Sequence, residues 1–264
     1  MALGVEGSIA RCLLVAALAV VMNASALAAG GTPPISSACE TPLPDIATPE
    51  PLPNLAASLE RKLPLKVMAI GSSSTVGIGA SAPSRSYPNQ LSEILLRNYT
   101  DLKLTMVNRG VSGELAAVTA ERLRMQVALE RPTLVLWQVG TNDALNRVPV
   151  EQFVQTVTNH VRWMKSHDID VVLVGLQYTA KSVRDEHYHA IRHALTELAE
   201  REGVLLVRRY AAMEFLEKAK GTPVLTDDDL HLNDLGYRCM AEHIAHALVV
   251  SSFLKKPKRP PLMQ

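Results

Sequence analysis

The stretch LKVMAIGSSSTVG, Leu65 to Gly77, passes from a nearly unbroken apolar segment into a glycine followed by three serines and a threonine. An apolar run of strand length that does not alternate with polar residues predicts a β-strand buried on both faces, as in a parallel sheet. Open parallel sheets build their sites at the carboxyl ends of their strands, so these hydroxyls stand where chemistry is expected. Outward from this segment the same kind of run recurs at Leu102 to Val107, Thr133 to Gln138, Val171 to Leu176 and Val204 to Arg208. Apolar residues at helical spacing occupy Tyr87 to Asn98, Leu115 to Glu130, Val150 to His167 and Arg184 to Glu200, and a last helix is expected from about Asp234 to Val250. Pro88 near the first of these starts and Gly203 after the fourth are helix start and stop signals. This βαβα order predicts a three-layer α/β/α sandwich around a mainly parallel, five-stranded sheet.

The chain has 264 residues, 47% of them hydrophobic, enough for one large core, and a single domain over residues 55–252 is expected. With 27 basic and 26 acidic side chains the formal net charge is +1, which provides no field to recruit nucleic acid or an anionic membrane. At the N-terminus Arg11, the apolar stretch Cys12 to Met22 and the sequence NASALAAG, with Ala26-Leu27-Ala28 at small-x-small spacing, read as a cleavable export signal over residues 1–28. The apolar stretch is too short to span a bilayer comfortably, so no stable membrane insertion is expected after cleavage, and the location expected is periplasmic or secreted. Residues 29–54, rich in Pro, Thr and Ser, predict an extended tail, and residues 253–264 a basic C-terminal tail containing KKPKRPP. Two cysteines lie beyond the signal, Cys39 and Cys239; a disulfide pinning the tail to the last helix and two unrelated thiols are equally compatible with the sequence.

The strand ends carry the informative residues: GSSST after the first run, NRGVSGE after the second, VGTNDA after the third, and DDDLHLN before the last helix. Nucleophilic acyl transfer needs a hydroxyl, a histidine to take its proton, a carboxylate to orient that histidine, and donors for the oxyanion. Asp228 and His231, three residues apart in one loop, let the carboxylate reach Nδ1 while Nε2 faces a serine, with Asp227 a rival one position away. Asp143 reads as a structural loop carboxylate, and Gln177, Tyr178, Ala144 and Leu145 follow strands at positions that line a cleft. GSSSTVGIG lacks the lysine of a phosphate-binding loop and the third glycine of a dinucleotide fingerprint. His187, His189 and His193 have no glutamate to complete a zinc motif and read as a solvated helix face. Neither a metal nor another cofactor is expected.

Four blocks in order, GSSST, NRGVSG, GTND and DDLH, spread between Ile70 and Asn233, together resemble the motifs of the SGNH or GDSL-type serine esterases and acylhydrolases. The resemblance implies a flavodoxin-like fold with Ser73 as nucleophile, Asp228 and His231 completing the triad, and an oxyanion hole made by the N–H of Ser73, the N–H of Gly113 and the Asn142 side chain. Two positions depart from the family pattern: Ser72 stands where the family has aspartate, and Ser74 where an aliphatic residue is common. The motif also differs from the Gly-x-Ser-x-Gly elbow of α/β-hydrolases. The function implied is that of an exported serine hydrolase that cleaves carboxylic esters of a small molecule or a glycan through an acyl-enzyme. The same machinery would serve O-deacetylation of a polysaccharide or peptidoglycan, or thioester cleavage, and a degenerate scaffold of this type would bind carbohydrate or lipid without catalysis. Acyl chain, alcohol and oligomeric state are left open.

Overall fold

A computed structural model describes residues 31–255. In chain order its helices and strands are α1 (Leu43–Ile46), β1 (Ala47–Thr48), α2 (Pro53–Arg61), β2 (Leu65–Gly71), α3 (Ser73–Val76), α4 (Tyr87–Asn98), β3 (Leu104–Gly110), α5 (Ala116–Glu130), β4 (Leu134–Gln138), α6 (Thr141–Leu145), α7 (Val150–Ser166), β5 (Asp170–Val174), α8 (Glu186–Glu202), β6 (Leu205–Val207), α9 (Arg209–Glu214) and α10 (Asp234–Ser252). The sheet has the order β1-β6-β5-β4-β2-β3, parallel throughout except for β1, which runs antiparallel to β6. Helices α2, α4 and α10 pack together on one side of the sheet, and α5, α7 and α8 on the other.

The mixed, mainly parallel α/β sandwich is the expected architecture, with six strands in place of five. All five residues of β4 and of β5 are buried, as near-continuous apolar runs require when helices cover both faces. Strand β3 differs: it is a sheet edge, partly exposed along its length, and it begins two residues later than its apolar run and continues to Gly110. Its N–H and C=O groups pair with β2 alone, so Asn108 and Arg109 are accommodated where a central strand would exclude them.

The expectation of an extended tail over 29–54 is corrected for the residues described. Cys39, Ile46 and Leu52 are buried, Cys39 is bonded to Cys239 in α10, and β1 adds the sixth strand. The partners of this segment are remote in sequence. The N–H and Oγ of Ser36 donate to Glu242 Oε2, each at 2.8 Å, the Cys39 carbonyl meets His243 Nε2 at 2.7 Å, and the Ile46 carbonyl accepts from Arg208 N at 2.8 Å. The first turn of α2 is likewise held from afar, its Leu55 N–H donating to the buried Asp170 carboxylate at 2.9 Å. A Pro-rich segment with few apolar residues carries no periodic signal, yet Cys39, Ile46 and Leu52 enter the core and Ile35 and Ala47 pack against it. The expected export signal over residues 1–28 and the part of the expected basic tail beyond residue 255 lie outside the described residues.

β2 has β3 on one side and β4 on the other, so the chain leaves β2 and β4 in opposite directions across the sheet. Such a reversal opens a crevice at the carboxyl ends, and the register that places Ile70 beside Trp137 brings Gly71 and Gln138 to its rim.

Candidate active site

The nucleophile candidate arises directly from β2. Strand pairing ends at Gly71, Ser72 is the N-cap, and Ser73 is the first residue of the one-turn helix α3, half-buried beyond the carboxyl end of β2. Ser72 is buried and donates both its N–H and its Oγ to Gln138 Oε1, each at 2.9 Å. Thr75 Oγ1 lies 3.4 Å from the same oxygen and 3.2 Å from the buried Tyr87 hydroxyl, whose pKa burial pushes up to about 12. The serine at the family's aspartate position is thus anchored to the neighbouring strand through a glutamine carbonyl.

From the other side, β3 continues into the second block. Asn108 folds back through its side chain, accepting from Gly110 N at 2.9 Å and donating to the Thr75 carbonyl at 2.6 Å. Gly110 has no room for a side chain: a Cβ would lie 2.4 Å from Val76 N, because α3 passes directly over it. Gly113 is exposed and adopts a positive φ of 81° that favours glycine. The following Glu114 is held by Arg122 at 2.6 Å, and its carbonyl accepts from Asn142 Nδ2 at 2.9 Å. Asp143 is buried and accepts from Ala116 N at 2.9 Å, and burial raises its carboxyl above the usual range. Its carboxylate thus caps the start of α5.

Asp228 and His231 meet directly, with Nδ1 2.5 Å from Asp228 Oδ2. The other carboxylate oxygen accepts from Thr226 Oγ1 at 2.7 Å and from the N–H groups of Leu230 and His231 at 2.9 and 2.8 Å. These donors, the imidazole first, hold the Asp228 carboxyl well below the usual carboxylate range. Asp227 is exposed and makes no such contact, so the one-residue alternative falls away. The loop closes by a bridge between Leu225 and Leu232 and is fastened to the segment after Ser73: Tyr237 Oη donates to the Ile78 carbonyl at 2.6 Å, and Ser81 N donates to Asp234 at 2.8 Å.

Three of the four residues set at the cleft edge have other places. Gln177, Tyr178 and Ala144 are buried, Gln177 donating to the Leu230 carbonyl and Tyr178 standing edge-on to Tyr210 at 5.4 Å. Leu145 is exposed, as are Val76, Ile78 and Val111 on the loops bearing Ser73 and Gly113. His187 and His189 turn their rings to the carbonyls of Val148 and Val183. Two polar residues of the site escaped the sequence reading, Gln138 and Arg209. Each stands at the carboxyl end of a buried apolar strand, which is the signal that marks them.

The profile of the Non-GDSL lipase-like family matches residues 38–252. The chain belongs to that family. It is accordingly an ester-bond hydrolase of the SGNH/GDSL type, and Ser72 is consistent with a family named for lacking the aspartate-containing motif. An arylesterase of Vibrio mimicus is 26% identical over 188 residues, 70% of this chain and 88% of that protein. A two-domain esterase active on acetylated mannans superposes with a TM-score of 0.69 at 19% identity over 85% of this chain. The chain spans 62% of the length of that mannan esterase. A variant of an acetyl xylan esterase from Geobacillus stearothermophilus superposes with a TM-score of 0.60 at 18% identity, covering 71% of this chain and 96% of the other. This chain shares its fold with both solved esterases, and among its described residues no helix is long and apolar enough to cross a membrane.

Proposed function

We propose that the protein is an exported serine esterase in which Ser73, His231 and Asp228 form the catalytic triad. His231 Nε2 takes the Ser73 hydroxyl proton as Oγ bonds to the acyl carbon; Asp228 stays ionised and holds the Nδ1 proton. The tetrahedral oxyanion is received by the N–H of Ser73, the N–H of Gly113 and the second N–H of Asn142 Nδ2, the first being donated to Glu114. Collapse breaks the bond to the alcohol oxygen, which leaves with the proton from Nε2. Water then attacks the acyl-enzyme, giving its proton to Nε2, and the acid departs as Ser73 recovers its hydrogen.

The observation that carries this reading is a set of unspent groups on the turns after β2 and β3, together with a histidine whose Nδ1 is held by Asp228. Neither the Ser73 nor the Gly113 N–H donates to an acceptor among the described residues, and the Ser73 hydroxyl has no partner there either. A turn serine with only a structural role would spend its hydroxyl on a nearby backbone group, as Ser86 does on the Pro83 carbonyl. Export is supported by the Cys39–Cys239 disulfide, which persists in oxidising compartments. Exposed Val76, Ile78, Val111 and Leu145 suit an open, apolar rim receiving the acyl part of a small ester. The two glycan esterases that share the fold favour acetylated polysaccharide as a second substrate class on the same machinery.

The test is covalent labelling with a fluorophosphonate followed by peptide mass spectrometry. An adduct on Ser73, lost in Ser73→Ala together with hydrolysis of p-nitrophenyl acetate, is expected. A folded protein without an adduct would instead be a binding protein on this scaffold.

A further inference from the structure

Arg209 opens α9 just beyond β6 and is only 3% exposed. Its guanidinium is shared among three strand ends: Nη1 donates to Ser74 Oγ at 2.9 Å, Nη2 to Thr141 Oγ1 at 3.2 Å, and Nε to the Gly175 carbonyl at 3.1 Å. Ser74 is the residue after the proposed nucleophile, and Thr141 the residue before Asn142. Gln177 extends the same network. Its N–H donates to Thr141 Oγ1 at 3.2 Å, its Oε1 accepts from Ser74 Oγ at 3.3 Å, and its Nε2 donates to the carbonyl of Leu230, between Asp228 and His231. A single planar fork and one glutamine thus reach the segments carrying the nucleophile, the oxyanion amide and the Asp–His pair.

The charge of this group is as informative as its bonds. All its oxygen acceptors are neutral, and among the described residues no carboxylate is paired with it. The ionisable groups facing it are the phenols of Tyr87, Tyr188 and Tyr237, which burial keeps protonated, Tyr87 and Tyr188 with pKa values pushed up to about 12. An arginine keeps its proton in a protein, so a buried cation stands here without a counter-ion. If bonding were its only task, a neutral donor would serve without the cost of burying charge. The complementary negative charge appears only during the reaction, on the oxyanion, where preorganised positive potential in a water-poor site favours the transition state over the bound ester.

We propose that Arg209 is a positioning residue for ester cleavage, locking the Ser73 turn to the Asn142 loop and supplying positive potential beneath the oxyanion. This rests on the triad proposed above.

The experiment compares the full chain with Arg209→Met, Arg209→Lys and Ser74→Ala, each checked for folding by thermal melting. Readouts are kcat and KM on p-nitrophenyl acetate, and affinity for a phenylboronic acid, whose serine adduct is a tetrahedral anion. In Arg209→Met, kcat should fall about 10²-fold with KM nearly unchanged, the size expected from slight misplacement of reacting groups, and boronate affinity should fall with it. Arg209→Lys keeps the charge without the fork and should regain part of both losses. Equal behaviour of the folded Lys and Met variants removes the charge from the proposal and overturns it, as does a folded Arg209→Met with normal kcat. Should Arg209→Met not fold, Ser74→Ala decides: cutting the Nη1 link should lower kcat about 10-fold at constant KM, and unchanged kcat overturns the inference. A wild-type protein that fluorophosphonate does not label defeats the triad and this inference together, whereas labelled wild type with unaffected variants defeats Arg209 alone.

Discussion

Asn142 divides its amide between two tasks, one N–H on the Glu114 carbonyl and the other available to the oxyanion. Asn142→Ala should lower kcat by about 10²- to 10³-fold while the protein remains folded, because it removes a donor used in the transition state and a single half-buried loop bond. Steady-state kinetics with a melting curve check this; an active Asn142→Ala enzyme would remove the residue from the oxyanion hole. Ser72 shows how a family position can change chemistry and keep its task. An aspartate would accept hydrogen bonds here, whereas Ser72 donates, and the acceptor is Gln138, a strand residue with no mark in any motif. Ser73, Gly113, Asn142, Asp228 and His231 were legible as candidates because their blocks are short and local. Gln138 and Arg209 were not, because their partners lie 66 and 135 residues away.

At the scale of elements, the site depends on how closely one turn of helix can approach a strand end. α3 crosses β3 at Gly110, with the Val76 N–H 2.4 Å from where a Cβ would stand and the Thr75 carbonyl carbon 2.8 Å from it. Gly110→Ala must therefore displace α3 and Ser73 with it. A loss of kcat on the order of 10²-fold is expected, with destabilisation of about 1–3 kcal/mol, read by kinetics and denaturant unfolding. Wild-type kcat in this variant would mean that α3 and Ser73 can shift without consequence. The neighbouring Asn108, bound to both Gly110 N and the Thr75 carbonyl, makes strand end and helix a single unit.

Across the whole molecule, the N-terminal segment behaves as a strap over α10. Cys39 and Cys239 close a span of 200 residues, and loss of such a cross-link typically costs about 2–5 kcal/mol. Cys39→Ser, or reduction by dithiothreitol, should lower the melting temperature while leaving kcat unchanged well below the melt; a melting temperature insensitive to reductant would show the strap contributes nothing. The strap also gives stability a pH dependence. His243, bound to the Cys39 carbonyl, and His246 are both held below the ordinary histidine pKa by burial. The unfolded chain takes up these protons first, so their contribution is complete above about pH 6.5 and lost as pH falls from there toward their folded values. Calorimetry between about pH 7 and pH 5 should show falling stability, and His243→Gln should flatten part of that slope; an identical slope in the variant excludes His243 as its source.

By itself, the sequence determined the parallel α/β sandwich, its five main strands and its principal helices, because near-continuous apolar runs and helical spacing are properties of contiguous residues. Its four blocks, through their resemblance to the SGNH or GDSL-type motifs, likewise marked the five candidate site residues, since each block spans only a few contiguous positions. Only the tertiary structure decided that the Pro-rich segment is a disulfide-bonded strap with a sixth strand, that β3 is an edge, and that Asp228 rather than Asp227 holds the histidine. It alone placed Arg209 beneath three strand ends. Those outcomes depend on hydrogen bonds and packing between residues tens to hundreds of positions apart, and no local pattern encodes which distant carbonyl, carboxylate or sulfur the folded chain brings within reach.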